Sequence, residues 1–224
     1  MPERRKTAAY VAPMLAFIGL LAVNVALKKI GGQFWLRASE YWIYPVQTVL
    51  CGVLLIWFRR EYEFHGLRRV AFSLVVGAVV FVLWISPQQF LGFAARTVGF
   101  NPDLFSSSPL AYWFTVILRF LRLAVVVPFV EEIFWRGFLL RFLIDEDFTR
   151  VRFGTFSWVS FLVVTVAFGF SHLPKDWIAA LITGAIYNGV AYRTKSLGSC
   201  ILTHAVTNLL LGFWIMQTGQ WGFW

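Results

Sequence analysis

A chain of 224 residues that is 59% hydrophobic and 19% aromatic but only 14% charged, with a mean hydropathy of +0.70, lies outside the soluble balance of about a quarter charged residues. The formal charge of +9 invites a nucleic-acid reading, but the basic residues form short clusters beside apolar runs, and no soluble module is long enough to bind a nucleic acid. Cys51 and Cys200 both fall inside apolar runs, too few for a disulfide framework or a zinc signature.

In chain order, no charge interrupts Thr7 to Leu27, Tyr41 to Phe58, Val70 to Ala95, Phe153 to Pro174, Trp177 to Tyr192 or Ser196 to Trp224. Most of these runs approach the ~20 residues of a spanning helix, and alternating strand patterns are absent. The expected fold is all-α: a polytopic transmembrane helical bundle of about seven or eight spans, forming a single integral membrane domain over residues 1–224. The basic start Met1 to Lys6 resembles the head of a signal peptide, but the run behind it is long and has no small-residue cleavage site before Lys28. It reads as a retained first span, about Ala8 to Leu27.

A second helix is expected over Tyr41 to Phe58 and a third over Val70 to Ile85, ending near Ser86-Pro87. Arg59, Arg60, Arg68 and Arg69 make the connection between them the densest positive cluster, which places it and the N-terminus in the cytoplasm. Three cations in the first loop run against that rule. Gln88 to Pro109 reads as a partly interfacial outer loop.

Leu110 to Ile144 is helical in character, but would be about 52 Å long if continuous. Pro128 is the expected break, giving either one kinked span or two shorter helices. Later helices are expected near Phe153 to Ser171, Asp176 to Tyr192 and Leu197 to Met216, with the aromatic tail Trp221 to Trp224 in the opposite interface.

The costly groups stand out against this background. Glu131, Glu132 and Arg136 put three charges into an apolar helix, at roughly 2.5–3.5 kcal/mol each on insertion scales. Glu132 and Arg136 are four apart and share a face, while Glu131 is rotated by about 100° and points elsewhere. A buried ion pair that staples helices would need only one of the carboxylates. His172 closes Phe168-Gly169-Phe170-Ser171-His172, and taken alone it is more often a packing residue than a catalytic one. His204 and Asn208, again four apart, would serve interhelical hydrogen bonding equally well. His65 belongs to the basic connection and reads as solvated. Costly groups on three helices are best accommodated around one cavity.

Glu-Glu-x-x-x-Arg at Glu131 to Arg136, Phe-x-x-x-His at Phe168 to His172 and His-x-x-x-Asn at His204 to Asn208, in this order on apolar helices, resemble the CPBP family of intramembrane proteases. That family includes the CAAX prenyl endopeptidases and the abortive-infection proteins. The resemblance implies a protease-like core at about 110–216 and hydrolysis of peptide bonds in membrane-associated or lipidated substrates. It further implies that Glu131 and His172 activate water, that His204 and Asn208 stabilise the oxyanion, and that Glu132 and Arg136 support the site.

No cofactor is expected: His-Glu-x-x-His is absent, and Arg136 would repel a dication. Zinc is the alternative, with Glu131, His172 and His204 as ligands. The expected partners are membrane lipid and a membrane-associated peptide or protein, not nucleic acid. The expected location is a bacterial inner membrane. The competing reading is a non-catalytic scaffold or immunity-type membrane protein. One geometric condition is attached, since His172 and His204 lie at different heights unless Ser171 to Lys175 turn inside the protein.

Overall fold

A computed structural model describes the backbone of residues 2–224 and the side chains from Arg4 onward; Met1 of the basic start lies outside the described residues. The molecule is an all-α bundle with no strand among the described residues. The elements are α1 (Pro2–Ile30), the short α2 (Phe34–Arg37), α3 (Glu40–Trp57) and α4 (Val70–Phe90). They continue with α5 (Pro109–Phe142), α6 (Trp158–Phe170), α7 (Trp177–Thr194) and α8 (Leu197–Thr218). Four of them, α1 from Arg4, α4, α5 and α8, are long and apolar enough to cross a membrane. The 18-residue α3 and α7 and the 13-residue α6 complete the bundle.

The expected break at Pro128 is not there. α5 runs unbroken for 34 residues, which removes the eight-span alternative. Two π-helical stretches, Arg122–Val126 and Ile133–Leu139, absorb the strain instead, with six residues of α-helix, Val127–Glu132, between them. In the first stretch Val127 N–H bonds to the carbonyl of Arg122, five residues back. The same register would pair Leu123 C=O with the N–H of residue 128, which proline lacks. The helix therefore continues through Pro128 with the Leu123 carbonyl left without a backbone donor.

α4 likewise passes through Pro87 to Phe90 rather than stopping at Ser86-Pro87. α6 begins at Trp158, five residues later than expected, because 143–157 form turns closed by Asp145 and Asp147 side chains.

α4 packs along α8, α6 along α7, and α1 along α3. The α4–α8 contact is close because Gly77 presents no side chain: a Cβ there would lie 2.7 Å from the carbonyl of Thr203. Thr207 donates to the Gly77 carbonyl at 2.9 Å across the same contact. Ser196 caps α8 by accepting from Ser199 N–H, and Gly219 (φ +65°) closes its other end.

The two ends of the bundle differ. At one end Lys6 donates to Glu63 and Gly198 N–H to Phe64 C=O; at the other Lys28 pairs with Glu40 and Arg96 with Asp176.

Candidate active site

The middle of α5 is where the charges meet. Glu132 Oε1 accepts from Arg136 Nη1 at 3.0 Å, one turn on, and from His204 Nδ1 of α8 at 2.9 Å. Arg136 is completed from α7: Nε donates to Asn188 Oδ1 (3.1 Å) and Nη2 to the Gly184 carbonyl (3.3 Å). Asn188 passes the network to Thr165 of α6 at 3.1 Å. The guanidinium lies over the rings of Phe168 (4.8 Å) and Tyr187 (5.3 Å). Both members of the Glu132–Arg136 pair are fully buried, so the pair ties α5 to α7 and α8 with every Arg136 nitrogen engaged.

Glu131 has a different environment. It makes no hydrogen bond to any described residue, its Oε2 is buried and unpartnered, and it lines a cavity of about 450 Å³. His172, His204 and Asn208 line the same cavity. The structure therefore brings together the residues singled out on three helices, with Glu131 facing the cavity and Glu132 and Arg136 behind it.

The difference in height is bridged by a short helix and not by a turn inside the protein, since Ser171 and Leu173 to Lys175 are exposed. α6 spans only 13 residues, about 20 Å at 1.5 Å per residue, against a hydrocarbon core of ~30 Å. The chain turns at Ser171 and enters a single 3₁₀ turn, Pro174–Asp176, so His172 stays at the cavity.

Each histidine has an assignable tautomer. His172 Nδ1 is 2.8 Å from the carbonyl of Phe168, which only accepts, so Nδ1 carries a proton and, in the neutral ring, Nε2 is the nitrogen with the lone pair. His204 Nδ1 faces the Glu132 carboxylate and by the same logic is the protonated nitrogen. Its ring sits 5.1 Å from that of Tyr187, whose hydroxyl donates to Thr207 at 2.8 Å.

Asn208 donates one amide N–H, at 2.9 Å, to the carbonyl of Leu123, the acceptor that Pro128 leaves free. A proline in one helix thus orients a side chain of another, and the second N–H of Asn208 remains unspent.

Some residues were not singled out as site residues from the sequence. Asn188 was visible only as a polar residue in a span; its link to Arg136 depends on the phase of α7. Phe223 and Trp224 were placed in the opposite interface, yet they line the cavity, with Gly222 N–H bonded to Arg96 C=O at 2.8 Å. Arg122 also lines it and donates to Gln47 at 2.7 Å. Arg119 is buried beside it, stacked on Tyr44 (4.4 Å) and Phe100 (4.9 Å), and none of its nitrogens has a partner among the described residues.

His65 is exposed, as expected of a solvated residue, and does not line this cavity. No group of three or more His, Cys, Asp or Glu able to hold a metal ion occurs among the described residues, so Glu131, His172 and His204 do not form a ready ligand set.

Comparison with known proteins gives one family. Residues 112–210 match the family model described as type II CAAX prenyl endopeptidase Rce1-like, a span that contains all six residues discussed above. No curated protein and no solved structure matches the chain.

Proposed function

From an Rce1-like domain at residues 112–210 of an integral membrane bundle, we propose that this protein is a metal-free intramembrane endopeptidase acting on membrane-associated peptides. The observation that carries the reading is the division of the two carboxylates: Glu131 unpartnered at a cavity shared with His172, His204 and Asn208, Glu132 bound to Arg136 and His204.

In the proposed reaction Glu131 takes a proton from a water held between it and His172 Nε2, and that water attacks the scissile carbonyl. The free N–H of Asn208 and, in its doubly protonated form, Nε2–H of His204 point donors at the developing oxyanion. Glu132 and Arg136 fix the ring of His204 and keep the donors in place before reaction. The leaving amine is protonated from Glu131. A helix staple would account for Glu132 and Arg136, but it leaves Glu131 as an unexplained buried carboxylate.

Cleavage of a peptide library by the purified protein tests this. Wild type should cleave, with chelator making no difference. Glu131→Gln should lose about 10²–10⁴ in rate with an unchanged unfolding midpoint. Equal turnover by the variant would remove Glu131 from the reaction and favour the scaffold.

A further inference from the structure

A second cavity, of about 500 Å³, lies at the other end of the bundle, where Lys6 meets Glu63. Arg68, Arg141, Arg150, Arg152 and Lys195 line it, against one carboxylate among the described residues, that of Glu63. These cations converge from four separate segments: the α3–α4 connection, the last turn of α5, the turns before α6, and the α7–α8 junction. Basic residues near a membrane surface usually spread into solvent. Here, although all but Arg141 are exposed, they also border one concave space.

Most of the local partners are already committed. Glu63 accepts from Lys6 at 2.5 Å, and that bond above all holds its carboxyl below the ordinary carboxylate range. Arg150 pairs with Asp147 at 2.8 Å, Lys195 donates to the carbonyl of Gly154, and the buried Arg141 donates to Gly137 C=O at 2.6 Å. Among the described residues, Arg68 and Arg152 enter the hydrogen-bond network only through their backbones, and neither guanidinium has an anion there.

The depth of the cavity identifies the ligand. Its walls are the connections just before α4, after α5 and between α7 and α8; α4, α5 and α8 are long enough to cross a bilayer, so these connections fall at the headgroup layer. Leu67, next to Arg68 in the chain, and Trp158, three residues after Thr155, are exposed apolar residues, 62% and 68%. Two free guanidinium forks suit phosphate oxygens, and basic pockets between membrane helices bind phosphate headgroups. We propose that this cavity is a phosphate-binding site, filled in the membrane by the headgroup of an anionic phospholipid.

Thermal unfolding of the full chain in detergent micelles tests the site without reference to catalysis. The probes are short-chain phosphatidylglycerol, the matching phosphatidylcholine, and inorganic phosphate. Phosphatidylglycerol should raise the wild-type midpoint by several degrees, as a ligand of the folded state does, and phosphatidylcholine should not. Arg68→Gln/Arg152→Gln should unfold near the wild-type midpoint without lipid and lose most of the shift. Arg152→Gln alone, which removes no side-chain contact, serves if the double variant does not fold.

An equal shift with inorganic phosphate would support the site but assign it a soluble ligand. No shift with phosphatidylglycerol or with inorganic phosphate, or a full shift in the arginine variants, would overturn the proposal.

Discussion

At the scale of single residues, Glu132 and Arg119 make opposite predictions although both are buried ions in α5. Glu132 holds Arg136 and His204 at 3.0 and 2.9 Å, so Glu132→Ala leaves a guanidinium and an imidazole N–H buried without their acceptor. Breaking such a pair costs about 3–5 kcal/mol, and the variant should unfold at a much lower temperature than Glu131→Gln. A wild-type midpoint for Glu132→Ala would mean that the network contributes no stability. Arg119 has three nitrogens without a partner among the described residues and is held only by aromatic faces. Stacking contributes up to about 2 kcal/mol, less than an unpaired charge costs to bury, so Arg119→Met should match or exceed the wild-type midpoint in thermal unfolding. A fall of many degrees would show that Arg119 has an acceptor after all. The Glu132–Arg136 pair was legible in the sequence because it depends only on the 3.6-residue period. The third partner, Asn188, was not legible, since it depends on how α7 is rotated against α5.

At the scale of elements, α5 shows how a local rule can be right in cause and wrong in outcome. Proline removes a donor wherever it sits, and from that the sequence suggested a break. Two π-helical stretches shift the register, and a side chain of α8 takes the carbonyl set free. Pro128→Ala restores the N–H that Leu123 C=O would pair with in this register, in competition with Asn208. The variant should be at least as stable as wild type, since proline inside a helix costs ~3 kcal/mol. Its turnover should fall as the Asn208 amide loses its anchor, by at most the ~10²–10³ that one oxyanion donor is worth. Steady-state kinetics alongside thermal unfolding separates the two effects; undiminished turnover would show that the Asn208 orientation does not depend on Pro128. The short α6 was equally hidden, because the apolar run from Phe153 to Pro174 is long enough to span while the helix inside it is not. Periodicity reports that a helix forms, and the tertiary contacts decide where it stops and what closes over it.

At the scale of the whole molecule, charge and cavity lie at opposite ends. The basic start Arg4 to Lys6, the Arg59–Arg69 connection, the 141–152 turns and the Arg193–Lys195 junction give one end most of the basic residues. The rim of the Glu131 cavity is built at the other end, from Arg96, Leu173, Asp176 and the Gly222–Trp224 tail. Positive residues flanking membrane helices face the cytoplasm, so the cavity should open on the opposite side of the membrane and draw its peptide from there. Single-cysteine labelling in intact cells with a membrane-impermeant maleimide measures this. Cys51 and Cys200 are buried, which keeps the background low. Leu173 is 59% exposed at the cavity rim, so Leu173→Cys should label from outside the cell. Arg150→Cys, whose native side chain is 77% exposed at the basic end, should label only after the membrane is opened. The reverse pattern would place the basic end outside, against its charge, and turn the cavity toward the cytoplasm. Of the two forces that could orient the chain, the charge bias acts during insertion and the need to meet a substrate acts only by selection. A reversed result would therefore mean that the three cations of the first loop, Lys28, Lys29 and Arg37, outweigh the larger cluster by reaching the insertion machinery first.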